Sequence, residues 1–206
     1  MTVTSIVPAG KSRCKIILNG EFSFVLYKGE IRRLPIVEGE ELSDDVYEEI
    51  MNDILPKRAI LRAMNLLRKK TFTVKELRKK LIEGGYPESV VEHALEYVSS
   101  YGYTNDERFA EDYIRYHSSD RGAKRIEADL LMKGVSKEDI AAAFRECDKL
   151  GISGSEKEKE SITLLLEKKH YSPDMDIKER QKIFNFLLRR GYSAESISKY
   201  MKTNVD

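Results

Sequence analysis

Two cysteines, Cys14 and Cys147, are all the thiol this chain of 206 residues has, and they stand far apart without metal-ligand company. That excludes a readable disulfide framework or zinc site. Each is expected to be an ordinary thiol in a reducing compartment. No apolar run approaches the length that crosses a bilayer, and the first residues lack the charged and apolar regions of a secretion signal. A cytoplasmic protein without membrane contact is the expectation. Charge of one sign does not prevail either: 36 Lys and Arg face 35 Asp and Glu, a net of +1. No global field draws the molecule onto nucleic acid.

Catalytic signatures are missing as well. The three histidines, His93, His117 and His170, include no HExxH spacing and no partnership with a nucleophile. The carboxylates Asp106, Glu107, Glu138 and Asp139 stand where helices should begin, and the helix dipole accounts for them there. Ala9-Gly10-Lys11-Ser12 ends like a phosphate-binding loop. The motif needs a further glycine five residues before Gly10, where Ser5 stands, and it should open a helix rather than precede a strand. The expectation is no enzyme, no catalytic residue, no metal and no cofactor.

What is present is helical and repeated. The stretch Tyr101–Phe144 reads as three helices. Thr104 and Glu107 have capping-box spacing for a first helix starting near Asn105, with Phe109, Tyr113 and Tyr116 on its apolar face. A second follows Gly122, buries Ile126, Leu130 and Leu131, and ends at Gly134. Ser136 caps a third, with Ile140, Ala143 and Phe144 inward. Taking Gly85, Gly134 and Gly191 as origins gives one ungapped register. Leu77, Ile126 and Ile183 stand eight residues before; Leu81, Leu130 and Leu187 four before; Ile82, Leu131 and Leu188 three before. Val91, Ile140 and Ile197 come six after, and Leu95, Phe144 and Met201 ten after. A period of roughly 50 residues suits three helices per repeat.

Period-two alternation works only near the N-terminus. Cys14–Leu18, Asn19-Gly20 and Glu21–Tyr27 read as a hairpin on a type I′ turn. A helix over Ser43–Leu55 is its expected neighbour, and Pro56 is expected to close that segment. The fold class is therefore all-α: three tandem three-helix repeats in an elongated array behind a small β-hairpin. The expected divisions are 1–56 for the hairpin segment, then repeats over 57–103, 104–150 and 151–206. Hydrophobic residues at 41% and charged residues at 34% fit the high surface-to-core ratio of such an array.

The charge is uneven, net −4 over residues 1–56 and +5 over 57–101. Basic clusters recur on or beside the second helices: Arg68-Lys69-Lys70, Arg78-Lys79-Lys80, Arg121 with Lys124-Arg125, and Arg189-Arg190. Several complement the dipole of a helix C-terminus. The functional reading is a discontinuous basic surface for phosphate or an acidic protein groove. At helical spacing Arg121, Lys124 and Arg125 share one exposed sector near a helix start, where they oppose the dipole, so a partner contact is the stronger reading for them.

GYTNDERFA (Gly102–Ala110), RGAKRIEADLLMKG (Arg121–Gly134) and Glu76–Tyr103 together resemble the RecX family, bacterial regulators of the RecA recombinase. The match is most specific over Lys57–Phe144 and stays in register through the third repeat. The resemblance implies a monomer that lies in the groove of the RecA filament on single-stranded DNA and suppresses strand exchange and repair signalling. The alternative is a tandem helix-turn-helix protein acting on DNA directly, since Thr73–Leu95 has the look of such a motif.

Overall fold

The computed structural model describes residues 1–203. The chain forms two units, Met1–Thr104 and a second beginning at Asn105.

In the first unit β1 (Val3–Pro8), β2 (Arg13–Leu18) and β3 (Phe22–Tyr27) make an antiparallel sheet in the order β1-β2-β3. Asn19 and Gly20 take φ of 50° and 80°, the left-handed pair the turn requires, and Glu21 N–H donates to the Leu18 carbonyl. Leu18 faces Phe22, so Glu21 stays outside the ladder. The expected hairpin is thus β2–β3, and β1 is an addition. Its alternation is masked by a register shift between Val3 and Ser5, and only Val3 along it is fully buried. Ala9–Ser12 is the turn between β1 and β2.

A short α1 (Lys28–Ile31) leads to α2 (Asp44–Glu49), whose Ser43 cap accepts from Val46 N–H. The helix does not stop at Pro56. A π turn over Ile50–Ile54 passes directly into α3 (Leu55–Leu67), with Leu55 N–H reaching the Ile50 carbonyl and Pro56 in the first turn. Proline lacks an N–H and crowds the carbonyl four residues back, and the wider π turn relieves both conflicts. Ile16, Leu18, Phe24 and Leu26 of the sheet share one core with Ile50, Leu55, Ala59, Leu77, Leu81 and Val91. Residue 56 is therefore no packing boundary.

The rest of the first repeat is α4 (Val74–Ile82) and α5 (Glu88–Ser100). Thr73 and Glu76 form a capping box. Glu76 N–H donates to the Thr73 hydroxyl at 3.1 Å, and Thr73 N–H donates to the Glu76 carboxylate at 3.4 Å. Pro87 is the cap of α5. Between the two helices Gly85 has φ +87°, and a Cβ there would come within 2.3 Å of Val25 Cγ2. Its carbonyl accepts from Val25 N–H at 3.2 Å. This glycine both ends the repeat's middle helix and docks it on the sheet.

The second unit holds two further repeats: α6 (Asp106–His117), α7 (Ala123–Lys133) and α8 (Lys137–Lys149), then α9 (Ser155–Lys168), α10 (Ile177–Arg189) and α11 (Ala194–Thr203). The α6 cap is Asn105, whose side chain accepts from Arg108 N–H at 2.8 Å; Thr104 bonds Ser99 instead. Ala110 and Ile114 form the buried stripe of α6, Phe109 and Tyr113 lie half-buried against it, and Tyr116 is 78% exposed. Phe144 is half-buried too, and Cys147 takes the last fully buried position of α8.

The repeat register is visible in burial. The positions eight and four residues before each glycine, and six after, are buried in all three repeats. The position three before was expected to be buried and is not: Ile82, Leu131 and Leu188 are 45%, 37% and 39% exposed. One helical turn from the buried stripe, they fall at its edge, where no second layer covers them.

Candidate partner-binding surface

The eleven basic residues fall into three groups once their side chains are placed. Four are bound to carboxylates within their own unit. Arg78 holds Glu88 at 2.7 Å and grips Glu92 with both terminal nitrogens. Arg190 donates to the Asp120 carbonyl at 2.8 Å and to its carboxylate at 3.2 Å, and its guanidinium lies 4.9 Å from the Phe186 ring centre. This contact links the second and third repeats. Arg121 and Arg125 converge on Asp129 at 2.8 and 3.1 Å.

Asp129 is the residue that organises this cluster. It is 5% exposed and also receives the Tyr113 hydroxyl at 3.4 Å, while Arg121 donates to that same hydroxyl at 3.0 Å. A carboxylate in this position is stable only because two guanidinium groups and a phenol surround it. The signal was a lone aspartate on the buried side of KRIEADLLMK, four residues after Arg125 and eight after Arg121. The expected exposed sector of Arg121, Lys124 and Arg125 is accordingly dissolved. Arg121 precedes the helix, Gly122 is its cap, and both arginines bend toward Asp129. Arg125 stays exposed while tied to Asp129, and Lys124 at the α7 start is exposed with no carboxylate partner among the described residues.

The second group is solvated and weakly engaged: Lys79 and Lys80 share Glu83 at 4.0 and 2.8 Å, and Lys70 sits over the Phe72 ring at 4.5 Å. Exposed pairs of this kind are weak and exchange readily. The third group, Arg68, Lys69, Lys124 and Arg189, is exposed and has no carboxylate partner among the described residues. Arg68 and Lys69 follow the C-terminus of α3 and Arg189 ends α10, where the dipole favours a cation. Lys124 sits in a first turn, where it does not.

Among the described residues no group of His, Cys, Asp and Glu has metal-binding geometry, and no helix is long and apolar enough to cross a membrane. Burial holds the Cys147 thiol above its ordinary range, which disfavours the nucleophilic thiolate.

The fold is a tandem series of three-helix domains with basic side chains on their surfaces. Comparison with known proteins is specific. Models of the first, second and third three-helix domains of RecX match residues 59–97, 105–143 and 156–201. The Regulatory protein RecX of Caldanaerobacter subterraneus subsp. tengcongensis is 32% identical over 201 residues, 97% of this chain and 98% of its own. That of Clostridium perfringens (strain SM101) is 33% identical, covering 93% of this chain and 89% of its own. A crystal structure of regulatory protein RecX superimposes with a TM-score of 0.66 over 98% of both chains, at 22% identity. RecX from Lactobacillus salivarius gives 0.63 over 72% of this chain and 96% of its own, at 24% identity. The chain belongs to the RecX family of regulatory proteins.

Proposed function

We propose that this protein binds the filament RecA forms on single-stranded DNA, lying in its helical groove, and restrains RecA in strand exchange and repair signalling. The observation that carries the reading is the match of all three RecX domains, in order, to residues 59–201. The docking chemistry we assign to four cations that no internal carboxylate consumes, Arg68, Lys69, Lys124 and Arg189. Several modest contacts spread over successive repeats suit a polymeric partner, because each engaged repeat raises the effective concentration of the next. Action on bare duplex through a helix-turn-helix is the weaker reading, since the net charge is +1 and four of the arginines are internally neutralised.

RecA ATPase on single-stranded DNA, titrated with the protein, tests this directly. The activity falls as protein is added; a rate unchanged at protein in excess of RecA overturns the proposal. The double variant Lys124→Glu/Arg189→Glu should inhibit more weakly than wild type, with a shallower dependence on salt.

A further inference from the structure

The outer face of the sheet carries a groove of about 540 Å³, floored by β2 and β3 and roofed by Gly84, Gly85 and Tyr86 at the end of α4. Strand alternation puts Arg13 and Lys15 on this face, because Cys14 and Ile16 between and beside them are buried on the other. Neither cation has a carboxylate partner among the described residues. Two acids stand nearby. Glu30 is held by Arg58 at 3.0 Å, and Glu83, which lines the groove, is in an exposed pair with Lys80 at 2.8 Å.

An aromatic face adjoins the cations. Tyr27 stands directly opposite Arg13 in the ladder and is 44% exposed. The Arg58 guanidinium covers one side of its ring at 4.2 Å and lies 6.0 Å from the Tyr86 ring. Burial raises the Tyr86 pKa against the attraction of Arg58, and also of Arg62 and Arg13, so three guanidinium groups are felt at one phenol. Arg62 is exposed and likewise has no carboxylate partner among the described residues.

We propose that this groove binds single-stranded nucleic acid, with Arg13 and Lys15 meeting neighbouring phosphates and an unpaired base stacking on the open side of Tyr27. Two residues along a strand span roughly 6.6 Å, comparable with the separation of neighbouring phosphates in an extended single strand. Duplex does not fit the same chemistry, because its bases are stacked on each other and unavailable to Tyr27. An acidic polypeptide would satisfy the charge and leave the ring without a partner, whereas cations beside an exposed aromatic ring are the pattern of single-strand binders. The groove shares no residue with the helical cations assigned to the filament.

Fluorescence anisotropy of labelled oligothymidylate with the full chain, RecA absent, tests the groove independently of the filament reading. Arg13→Glu/Lys15→Glu should weaken binding by at least about tenfold, and Arg13→Gln/Lys15→Gln should flatten the log–log salt slope by about 1.4, two phosphate contacts at about 0.7 each. Tyr27→Ala should cost roughly another tenfold while Tyr27→Phe stays near wild type. Lys178→Glu/Lys182→Glu, the same charge change on exposed α10, should have a markedly smaller effect. The proposal is overturned if wild type does not bind the oligonucleotide at low salt. It is also overturned if the Gln pair binds like wild type with its circular dichroism intact. A third overturning result is displacement of the oligonucleotide by polyglutamate with Tyr27→Ala no weaker than wild type, which would assign the groove to an acidic polypeptide.

Discussion

Tyr192 is buried in the core of the third repeat, and its hydroxyl has no hydrogen-bond partner among the described residues. Burial pushes it up to about 12 against a smaller pull from the Ser161 hydroxyl, whose own hydrogen goes to the Ser118 carbonyl at 2.9 Å. A buried donor without an acceptor is a cost, so Tyr192→Phe should leave stability unchanged or raise it by about 1 kcal/mol in urea unfolding. A loss above that size would show that the hydroxyl is bonded after all. His117 gives a test of opposite kind. Burial first, then Arg121, hold its pKa below the ordinary 6.5 against the pull of Asp120. The unfolded chain therefore takes up a proton that the folded chain resists, and this residue's contribution to stability falls as pH drops below 6.5. Urea midpoints from about pH 7 to about pH 5 should fall less steeply for His117→Gln than for wild type. Equal slopes would remove His117 as the source. At this scale a sequence names residue types and leaves partners open. Arg121 and Arg125 read as surface cations until Asp129 is placed between them.

At the scale of elements, the glycine after each middle helix does two jobs in the first and third repeats. Gly191 has φ +91°, and a Cβ there would stand 2.4 Å from Arg125 N. Opposite it, a Cβ on Gly122 would stand 2.4 Å from the Gly191 carbonyl group, and Gly122 N–H donates to the Arg190 carbonyl at 2.9 Å. The two repeats of the second unit thus meet backbone to backbone. Gly122 itself has φ −74°, which any residue adopts, so Gly122→Ala isolates the contact from the torsion. It should destabilise by about 1–3 kcal/mol, the usual cost of overpacking, read as a lower unfolding midpoint at unchanged helical dichroism. Wild-type stability would mean that the two repeats part without loss. The caps at Thr73 and Ser136, the Asn-Gly turn and the glycine stops were legible because each depends on residues within one turn of one another. β1 was not, since a strand that buries one side chain leaves no period to find.

For the whole molecule the informative region is the passage through Pro56. The sheet buries Ile16, Leu18, Phe24 and Leu26 against α3 and α4, so the first repeat lacks a closed core without it. A fragment of residues 1–104 should fold with a cooperative transition, while 57–104 alone should lose most of its helical dichroism. A stable 57–104 fragment would make the sheet an appendage. Local periodicity determined a good deal here by itself: the repeat helices, the hairpin, and the buried registers eight and four before each glycine. These follow from the 3.6 and 2 residue periods of the backbone, which any stretch expresses without knowing its neighbours. Only the tertiary structure decided that the helix continues through Pro56, that Ile82, Leu131 and Leu188 stay at the surface, and which cations remain free. Those outcomes turn on distances between residues far apart in the chain, such as Arg190 to Asp120 and Gly85 to Val25. No local period encodes such distances; they are set by how the elements pack.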